Sequence, residues 1–252
     1  MIPLTDLTAY LDSALRVSEI EDYPNAFNGL QVEKAGGVAK VVAAVDACEA
    51  AIEAAVELGA DLLLVHHGLF WSGSAPVTGP AYRKLRLALG NGLAIYSAHL
   101  PLDCHPEVGN NVLLCEALGL RGSREPFLDV RGRPIGLVAE ETINREVLHS
   151  RIETEVRGRV VLAPGGPVST RRIGVVTGAA GSMIAEVAAA GVDTLITGEG
   201  PHWCYTAAEE LGVNLFLAGH YATETYGVKA LAAHIAQRFG LSWEFIDHPT
   251  GL

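Results

Sequence analysis

The sequence predicts an α/β protein made of two domains. Short aliphatic runs, typical of buried parallel strands, alternate with helical segments along most of the 252 residues. A chain of this length can bury a substantial core, and it is long enough for two small domains. The hydrophobic share of 49% and the 28 glycines fit a compact fold rather than a disordered chain. We therefore expect parallel or mixed sheets flanked by helices.

The first half of the chain predicts strands and helices in alternation. In order, the predicted elements are a helix over 4–15, a strand that ends at 32 after an Asn-Gly turn, a strand over 38–45, a helix over 48–56, a strand that ends at His66-His67, a helix over 81–90, a strand over 93–98 and a helix over about 110–118. The Gly-, Ser- and Pro-rich residues 68–80 are predicted to form a loop. Pro101 favours a loop over a helix for the segment after His99.

The arginine-rich stretch from Arg121 to Arg133 has no clear periodicity and is the best candidate for a domain boundary. It gives domains of 1–124 and 125–252, with the possibility that the last helix and strand pack back on the first domain. The elements predicted beyond it are strands over 135–139 and 160–162 around a helix over 144–156, a strand over 172–176, a helix over 183–190, a strand over 194–197, a helix over 203–211, a strand over 213–219, a helix to about 239 and a strand over 243–246.

Charge and composition exclude several classes of protein. The formal net charge of -11 opposes binding to nucleic-acid backbones, which needs clustered Lys and Arg. No apolar run approaches the ~20 residues of a membrane helix, and the first residues lack a signal-peptide pattern. The four cysteines form no CxxC pair and are too few for a disulfide framework. We therefore expect a cytoplasmic protein with reduced thiols that acts on a small molecule.

Histidines and carboxylates follow three of the predicted strands. One strand ends at His66-His67, a second leads to His99 with Asp103 four residues later, and a third leads to His220 with Glu224 four residues later. In an open α/β sheet the functional groups gather beyond the carboxyl ends of the strands. Imidazoles and carboxylates without a thiolate suit Zn, Mn, Fe, Co or Ni. Two such ions, roughly 3.5–4 Å apart, would be able to activate water for hydrolysis.

Spacing constrains how these side chains could share the ions. A single histidine is more often a hydrogen-bonded structural residue than a metal ligand. The prediction of a metal site therefore rests on the whole set of histidines and carboxylates. Consecutive strand residues point to opposite faces, and His66 and His67 are therefore expected to serve two neighbouring ions rather than grip one. His220 and Glu224 suit joint ligation if a helix begins near Tyr221, because residues four apart share one helix face.

Two further features leave alternatives open. The turn Thr177-Gly-Ala-Ala-Gly-Ser182 lies between a strand and a helix and could cradle a phosphate, but a plain tight turn with Ser182 as the N-cap is the more common interpretation. Glu199 and His202 follow a predicted strand and either line the cavity or supply a general acid or base. We favour lining. No organic cofactor site is predicted.

Four segments carry a resemblance to a known family. They are Asn28-Gly-Leu-Gln-Val, Val65-His-His-Gly, Ala98-His-Leu-Pro-Leu-Asp103 and Gly219-His-Tyr-Ala-Thr-Glu-Thr. In order and spacing they resemble the signature segments of the Nif-three-like family, whose members are often named GTP cyclohydrolase 1 type 2 homologues. The match covers nearly the whole chain. Many relatives carry Thr-Asn where this chain has Leu100-Pro101.

The resemblance implies a fold and a ligand set. Family members are two-domain α/β proteins with a dinuclear metal site between the domains, commonly assembled as toroidal homohexamers. Carried over by motif, one ion is bound by His67 and Asp103, the other by His66 and His220, and Glu224 bridges both. His99 matches a histidine that lines the family's site, which makes it a catalytic candidate together with Glu199 and His202.

The function implied is that of a metal-dependent hydrolase acting on a nucleotide-like substrate such as GTP. The alternative is a non-catalytic metal-binding or metal-delivery protein that uses the same ligands and acts through protein partners. Metal content together with nucleotide hydrolysis would favour the enzyme. Transfer of metal to an acceptor without turnover would favour delivery.

Overall fold

The computed structural model describes residues 1–71, 73, 75–130 and 132–252. Ser72 and Ser74 of the predicted loop, and Arg131 of the predicted boundary stretch, lie outside the described residues.

The chain divides into two compact units. Unit 1 comprises residues 1–102 and 227–248, and unit 2 comprises residues 103–226 and 249–252. The domain limits of 1–124 and 125–252 stay a prediction.

The described residues form short strands throughout the chain. They are β1 (Ile2–Pro3), β2 (Gly29–Val32), β3 (Gly37–Val38), β4 (Lys40–Asp46), β5 (Leu62–His67), β6 (Ala94–Ser97), β7 (Arg124–Val130), β8 (Arg133–Asn144), β9 (Val161–Pro164), β10 (Ser169–Val175), β11 (Thr194–Thr197), β12 (Asn214–Leu217) and β13 (Ser242–Phe245).

Helices connect most of these strands. They are α1 (Leu4–Ala14), α2 (Glu49–Glu57), α3 (Gly79–Gly90), α4 (Leu100–Asp103), α5 (Asn110–Ala117), α6 (Arg145–Val156), α7 (Ile184–Ala189), α8 (Trp203–Leu211), α9 (His220–Thr223) and α10 (Thr225–Phe239), with a 3-10 turn at Gly181–Met183. Among the described residues, none of these helices combines the length and the apolar character that crossing a membrane requires.

Unit 1 is built on a five-stranded sheet in the order β13-β4-β5-β6-β2. Strands β13, β4, β5 and β6 run parallel, whereas β2 pairs antiparallel with β6. The core contains Val42 of β4, Ile52 of α2, Leu63 of β5 and Ile95 of β6, all fully buried. The strand, helix and strand predicted between residues 38 and 67 are therefore present as the βαβ unit β4–α2–β5.

Unit 2 is built on a six-stranded mixed sheet in the order β7-β8-β10-β11-β12-β9. Strands β10, β11 and β12 run parallel, and the other pairs are antiparallel. Its core joins Leu148 and Ile152 of α6 to Ile173, Ile196 and Phe216 of the three parallel strands. Both units thus confirm the predicted α/β class with parallel and antiparallel strands flanked by helices.

The loop predicted after His99 is wrong, because residues 100–103 form the short helix α4. Its first turn is closed by the Leu102 amide, which donates to the His99 carbonyl at 2.8 Å. Pro101 occupies the second position of this helix. Backbone N–H groups in the first turn have no acceptor within the helix, so the N–H that proline lacks is not needed there. Proline therefore starts this helix instead of preventing it.

The strand β7 was missing from the prediction. It lies in the arginine-rich stretch and pairs antiparallel with β8 at the edge of the unit 2 sheet. Only Phe127 and Leu128 of this strand are buried. An edge strand with so few buried positions shows no alternating pattern, which explains why its sequence looks irregular.

In each unit, an aspartate before one parallel strand accepts hydrogen bonds from two backbone amides of the neighbouring parallel strand. The Asp61 carboxylate precedes β5 and accepts hydrogen bonds from the Ala39 amide at 2.8 Å and the Lys40 amide at 3.1 Å. Asp193 precedes β11 and accepts from the Arg171 and Arg172 amides at 2.9 and 3.1 Å. Each carboxylate thus ties its strand to the neighbouring parallel strand.

We expect Asp61→Ala and Asp193→Ala each to lower the free energy of unfolding by about 1–2 kcal/mol, since each leaves two backbone donors without their acceptor at a partly exposed position. Urea unfolding followed by circular dichroism measures this change. Glu57→Ala, at the exposed end of α2, is the matched control. Equal stability of all three variants would contradict the assigned role.

Candidate metal centre

Three histidines meet at one edge of the unit 1 sheet. His66 and His67 end β5, and His99 lies two residues beyond β6, the parallel neighbour of β5. One ring nitrogen of each lies within 4.8 Å of those of the other two. The ring centroids of His66 and His67 are 4.8 Å apart. The expectation that these two residues serve two neighbouring ions stays a prediction.

The first two of these rings are held through Nδ1. The Nδ1–H of the fully buried His66 donates to the Ala98 carbonyl at 2.8 Å. The Nδ1–H of His67 donates to Asp46 Oδ1, also at 2.8 Å, and Asp46 is the register partner of His67 on β4. Because a carbonyl and a carboxylate only accept, Nδ1 carries the proton in each neutral ring. Nε2 is then the nitrogen with the lone pair that a metal ion needs.

Asp22 holds His99 in the same way. This buried carboxylate accepts from His99 Nδ1 at 2.9 Å, from Asn28 Nδ2 at 2.8 Å and from the backbone amides of Tyr23 and Leu100 at 2.7 and 3.1 Å. Burial acts to raise the pKa of Asp22. The hydrogen bond and the charge of His99, together with the hydrogen bonds from Asn28 and the Tyr23 amide, outweigh burial and lower that pKa below its usual value. Sequence reasoning missed Asp22, which lies in a polar loop far from His99 along the chain.

The Asn28-Gly-Leu-Gln segment supports the loops around the histidines. Asn28 Oδ1 accepts the His99 amide at 2.7 Å, and Gln31 Oε1 accepts the Leu69 amide at 2.6 Å. A Cβ on Gly68 would lie 2.2 Å from the amide end of the Gln31 side chain, so a larger residue directly after His67 would displace that amide. These side chains therefore fix the loops that follow β5 and β6.

An aromatic cavity adjoins the cluster within unit 1. The Trp71 ring packs edge-on against His99 at 4.9 Å and lies 5.6 Å from the His67 ring. Directly before it in the chain, Leu69 and Phe70 line a cavity of about 660 Å³ together with Phe27 and Lys84. A planar ring system could enter this cavity, which the loop after β5 lines.

Unit 2 carries the remaining predicted ligands. Asp103, buried at the end of α4, accepts from Asn110 Nδ2 at 2.8 Å and from Thr177 Oγ1 at 3.4 Å. His220 begins α9, and its Nε2 lies 3.1 Å from Glu224 Oε2, as the four-residue spacing predicted.

Glu199 holds the other nitrogen of His220, with Nδ1 and Glu199 Oε1 3.0 Å apart. Burial acts to lower the pKa of His220, but pairing with Glu224 and Glu199 outweighs it and raises that pKa to about 9. Two carboxylates thus surround this imidazole.

The Gly-rich turn after β10 packs against Glu224. Gly178 has a φ of +70°, and a Cβ there would lie 2.3 Å from Glu224 Oε1. The Gly178 amide donates to Thr223 Oγ1 at 3.1 Å. Ser182 is not an N-cap as predicted, since it lies inside the 3-10 turn and α7 begins after Met183 without a side-chain cap. The glycine is needed for close approach to the carboxylate.

His202 lies apart from this group of contacts. It is exposed at the start of α8 and lines a cavity of about 390 Å³ with Val161 and Tyr205.

The donors described in both units are nitrogen and oxygen atoms whose orientation is fixed by other side chains or by the backbone. Such a set fits divalent ions of borderline hardness, such as Zn, Mn, Fe, Co and Ni.

The hydrogen bonds predict the tautomers of the ion-free protein. We expect neutral His66, His67 and His99 to carry their proton on Nδ1. His149 is an internal control with the opposite tautomer, because its Nε2 donates to the Val160 carbonyl at 3.0 Å. Long-range proton–nitrogen spectra of protein labelled with ¹⁵N-histidine, at alkaline pH, distinguish the two forms. An Nε2–H tautomer at His67 or His99 would contradict the assigned contacts.

Comparison with known proteins agrees with this architecture. Residues 2–250 match the family model described as Duf34/NIF3 (NGG1p interacting factor 3). A protein of Deinococcus radiodurans named GTP cyclohydrolase 1 type 2 homolog is 43% identical over 253 residues, which cover 98% of this chain and 94% of that protein.

Two solved structures are similar over their full length. The protein TTHA1606 from Thermus thermophilus is 41% identical with a TM-score of 0.91, and each chain is covered completely. The protein ybgI, described as of unknown function, is 36% identical with a TM-score of 0.92, again with both chains covered completely. From the match over residues 2–250 and these identities, the chain belongs to the DUF34/NIF3 family.

Proposed function

We propose that the chain binds two divalent metal ions and hydrolyses a nucleotide-like substrate. The observation that carries the proposal is the orientation of the histidines. His66, His67 and His220 each have Nδ1 at hydrogen-bond distance from a carbonyl or carboxylate oxygen. Metal-binding histidines almost always have such an outer partner, which fixes the ring and raises its basicity.

The ligand assignment follows the family resemblance and includes both units. His67 and Asp103 would hold one ion, His66 and His220 would hold the other, and Glu224 would supply a carboxylate to both. When bound, such ions polarise substrate oxygens and lower the pKa of water. The chain itself supplies orientation through Asp46 for His67, Glu199 for His220 and Asn110 for Asp103.

The catalytic candidates differ in their surroundings. Glu199 contacts His220, which supports a positioning role rather than proton transfer to substrate. His202 is exposed at the start of α8, whereas His99 is buried and adjoins His66 and His67. His99 therefore contacts the proposed ligands of its own unit.

The aromatic cavity supports a substrate with a planar base. Phe27 and Phe70 can contact a nucleobase by their ring faces, and the half-buried Lys84 can contact a phosphate. The chain has a net charge of -11, which repels a polyphosphate. The positive charge of the metal ions would offset this repulsion. The name carried by the Deinococcus relative makes GTP the first substrate to test.

The first test measures metal and turnover together. We expect elemental analysis of protein purified without chelators to find about two divalent ions per chain, and GTP to be hydrolysed with loss of activity on chelation. Absence of metal, with no binding on titration, would overturn the proposal. Two ions without hydrolysis of any nucleotide, and with transfer to a metal-free acceptor, would establish the metal-delivery alternative instead.

The second test separates the bridging ligand from a terminal ligand. A bridging carboxylate offsets the charge of both ions, so we expect Glu224→Gln to weaken both and abolish hydrolysis, whereas His66→Ala depletes chiefly one ion. Metal titration by calorimetry measures this difference. Glu210→Gln, on the exposed face of α8, is the matched control. Unchanged affinity for both ions in Glu224→Gln would require another bridging group.

Assembly is a separate proposal. The resemblance implies a closed homohexamer in the cytoplasm, and closed rings are favoured over open chains in symmetric assemblies. Light scattering is expected to return a mass several times that of the 26.6 kDa chain. The mass of one chain at micromolar concentration would contradict it.

A further inference from the structure

The aromatic cavity of unit 1 is lined by large apolar side chains that remain accessible to water. Phe27, Phe70 and Val77 line it, and they are 57%, 39% and 55% exposed. Single exposed apolar residues are normal on a protein surface, whereas several that line one concave site mark a binding site. The volume of about 660 Å³ lies within the ~300–1,000 Å³ that small-molecule sites occupy. The cavity thus fits a small molecule with a flat apolar face.

One charged side chain lies in this lining. Among the lining residues that the structure describes, Lys84 is the only one with a charge. Its half-buried ammonium group donates to the Ala47 carbonyl at 3.2 Å, and no carboxylate in the described part of the chain forms an ion pair with it. An ammonium group has three N–H donors, so donors remain for a ligand. The cavity therefore offers a positive charge to an anionic group.

The residue before Lys84 differs in its partner. Arg83, on the same helix α3, donates two hydrogen bonds to the Glu49 carboxylate, at 2.7 and 3.0 Å. The hydrogen bond from Arg83 is the largest cause of the lowered pKa of Glu49, and the charge of Lys84 is the smallest. Glu49 is thus paired with Arg83, and Lys84 keeps its charge for the cavity.

We propose that the aromatic cavity binds the base and a single phosphate of a nucleotide without the help of a metal ion. The base contacts the faces of Phe27 and Phe70, and Lys84 pairs with the phosphate. The inference rests on the proposed function for the class of substrate. It adds which part of that substrate the chain recognises by itself.

The single lysine limits how much negative charge the cavity accepts. One phosphate group carries about -1.5 to -2 charges at pH 7. A triphosphate carries more, and the chain's net charge of -11 repels it. One ammonium group offsets much of the charge of a monophosphate and a small part of that of a triphosphate. In the absence of metal, the cavity therefore prefers a nucleoside monophosphate to the nucleoside and to the triphosphate.

The first experiment compares ligands on the full chain in the presence of EDTA. Calorimetry measures the affinity for guanosine, guanosine monophosphate (GMP), GTP and ribose 5-phosphate. We expect GMP to bind about tenfold or more tightly than guanosine and GTP, because only the monophosphate combines the charged contact with little repulsion. Ribose 5-phosphate, which lacks the base, is expected to bind far more weakly than GMP. Equal affinity for GMP and guanosine, or for GMP and ribose 5-phosphate, would overturn the inference.

The second experiment removes the charge from the cavity. Lys84→Met keeps the length of the side chain, and we expect it to reduce the affinity for GMP to that for guanosine while the latter stays unchanged. Arg83→Met, one residue earlier on α3, is the matched control and should leave both affinities unchanged. A lysine that only ties α3 to the Ala47 carbonyl would give a different result. Lys84→Met would then lower the midpoint of urea unfolding without changing the affinity for GMP, and the inference would be wrong.

The third experiment removes an aromatic face. Because the Phe70 ring is partly exposed, Phe70→Ala is expected to fold, and to bind both guanosine and GMP about tenfold more weakly, as loss of a stacking aromatic ring does. Light scattering of the same variant tests whether a second copy of the chain covers this ring instead. A changed mass with unchanged affinity for GMP would overturn the inference.

Binding of GMP in EDTA and the metal-dependent reaction are separate measurements, so the inference and the proposed function fail separately. A wild type that binds two ions and hydrolyses GTP, but binds no GMP in EDTA, overturns the inference and leaves the proposed function standing. A wild type that does neither overturns both. Binding of GMP that is lost in Lys84→Met supports the inference even where no metal is bound.

Discussion

The hydrogen bond at Nδ1 of each site histidine is the interaction on which the candidate centre depends. It decides the tautomer and the direction of the ring, and therefore whether Nε2 can bind a metal. For His67 the bond exists because the sheet register places its acceptor correctly. Asp46 on β4 is the register partner of His67 on β5, and a slip of one residue would turn one of them to the other face. The buried parallel strands thus specify the site through their alignment.

Close backbone approach is the second constraint. Gly68 follows His67 where a side chain would collide with Gln31, and Gly178 lies where a side chain would collide with Glu224. Each glycine lets a loop of its own unit pack directly against a residue that carries or supports the chemistry. A larger residue at Gly68 would displace the Gln31 amide, and one at Gly178 would strain a left-handed backbone and crowd Glu224. The short range of these contacts explains why small residues accompany the polar ones in both motifs.

Local patterns predicted much of this molecule. The strands that lead to His67, His99 and His220 are short, mostly buried runs of apolar residues. Such runs predict buried strands from the sequence alone. The contact of His220 with Glu224 was predictable because four residues along a helix bring two side chains together. Asp22 was not, since its contact with His99 is made across 77 residues and depends on tertiary pairing.

The two units differ in the donors that they offer, and the difference bears on how a metal centre could be assembled. Unit 1 offers three imidazoles, which are neutral donors and favour late divalent metals. Unit 2 offers the carboxylates Asp103 and Glu224 around a single imidazole, His220. Negative ligands are needed chiefly when the second ion arrives, because the repulsion between two dications must be offset. Nitrogen donors would therefore set which metal is chosen, and carboxylates would set how many ions are held.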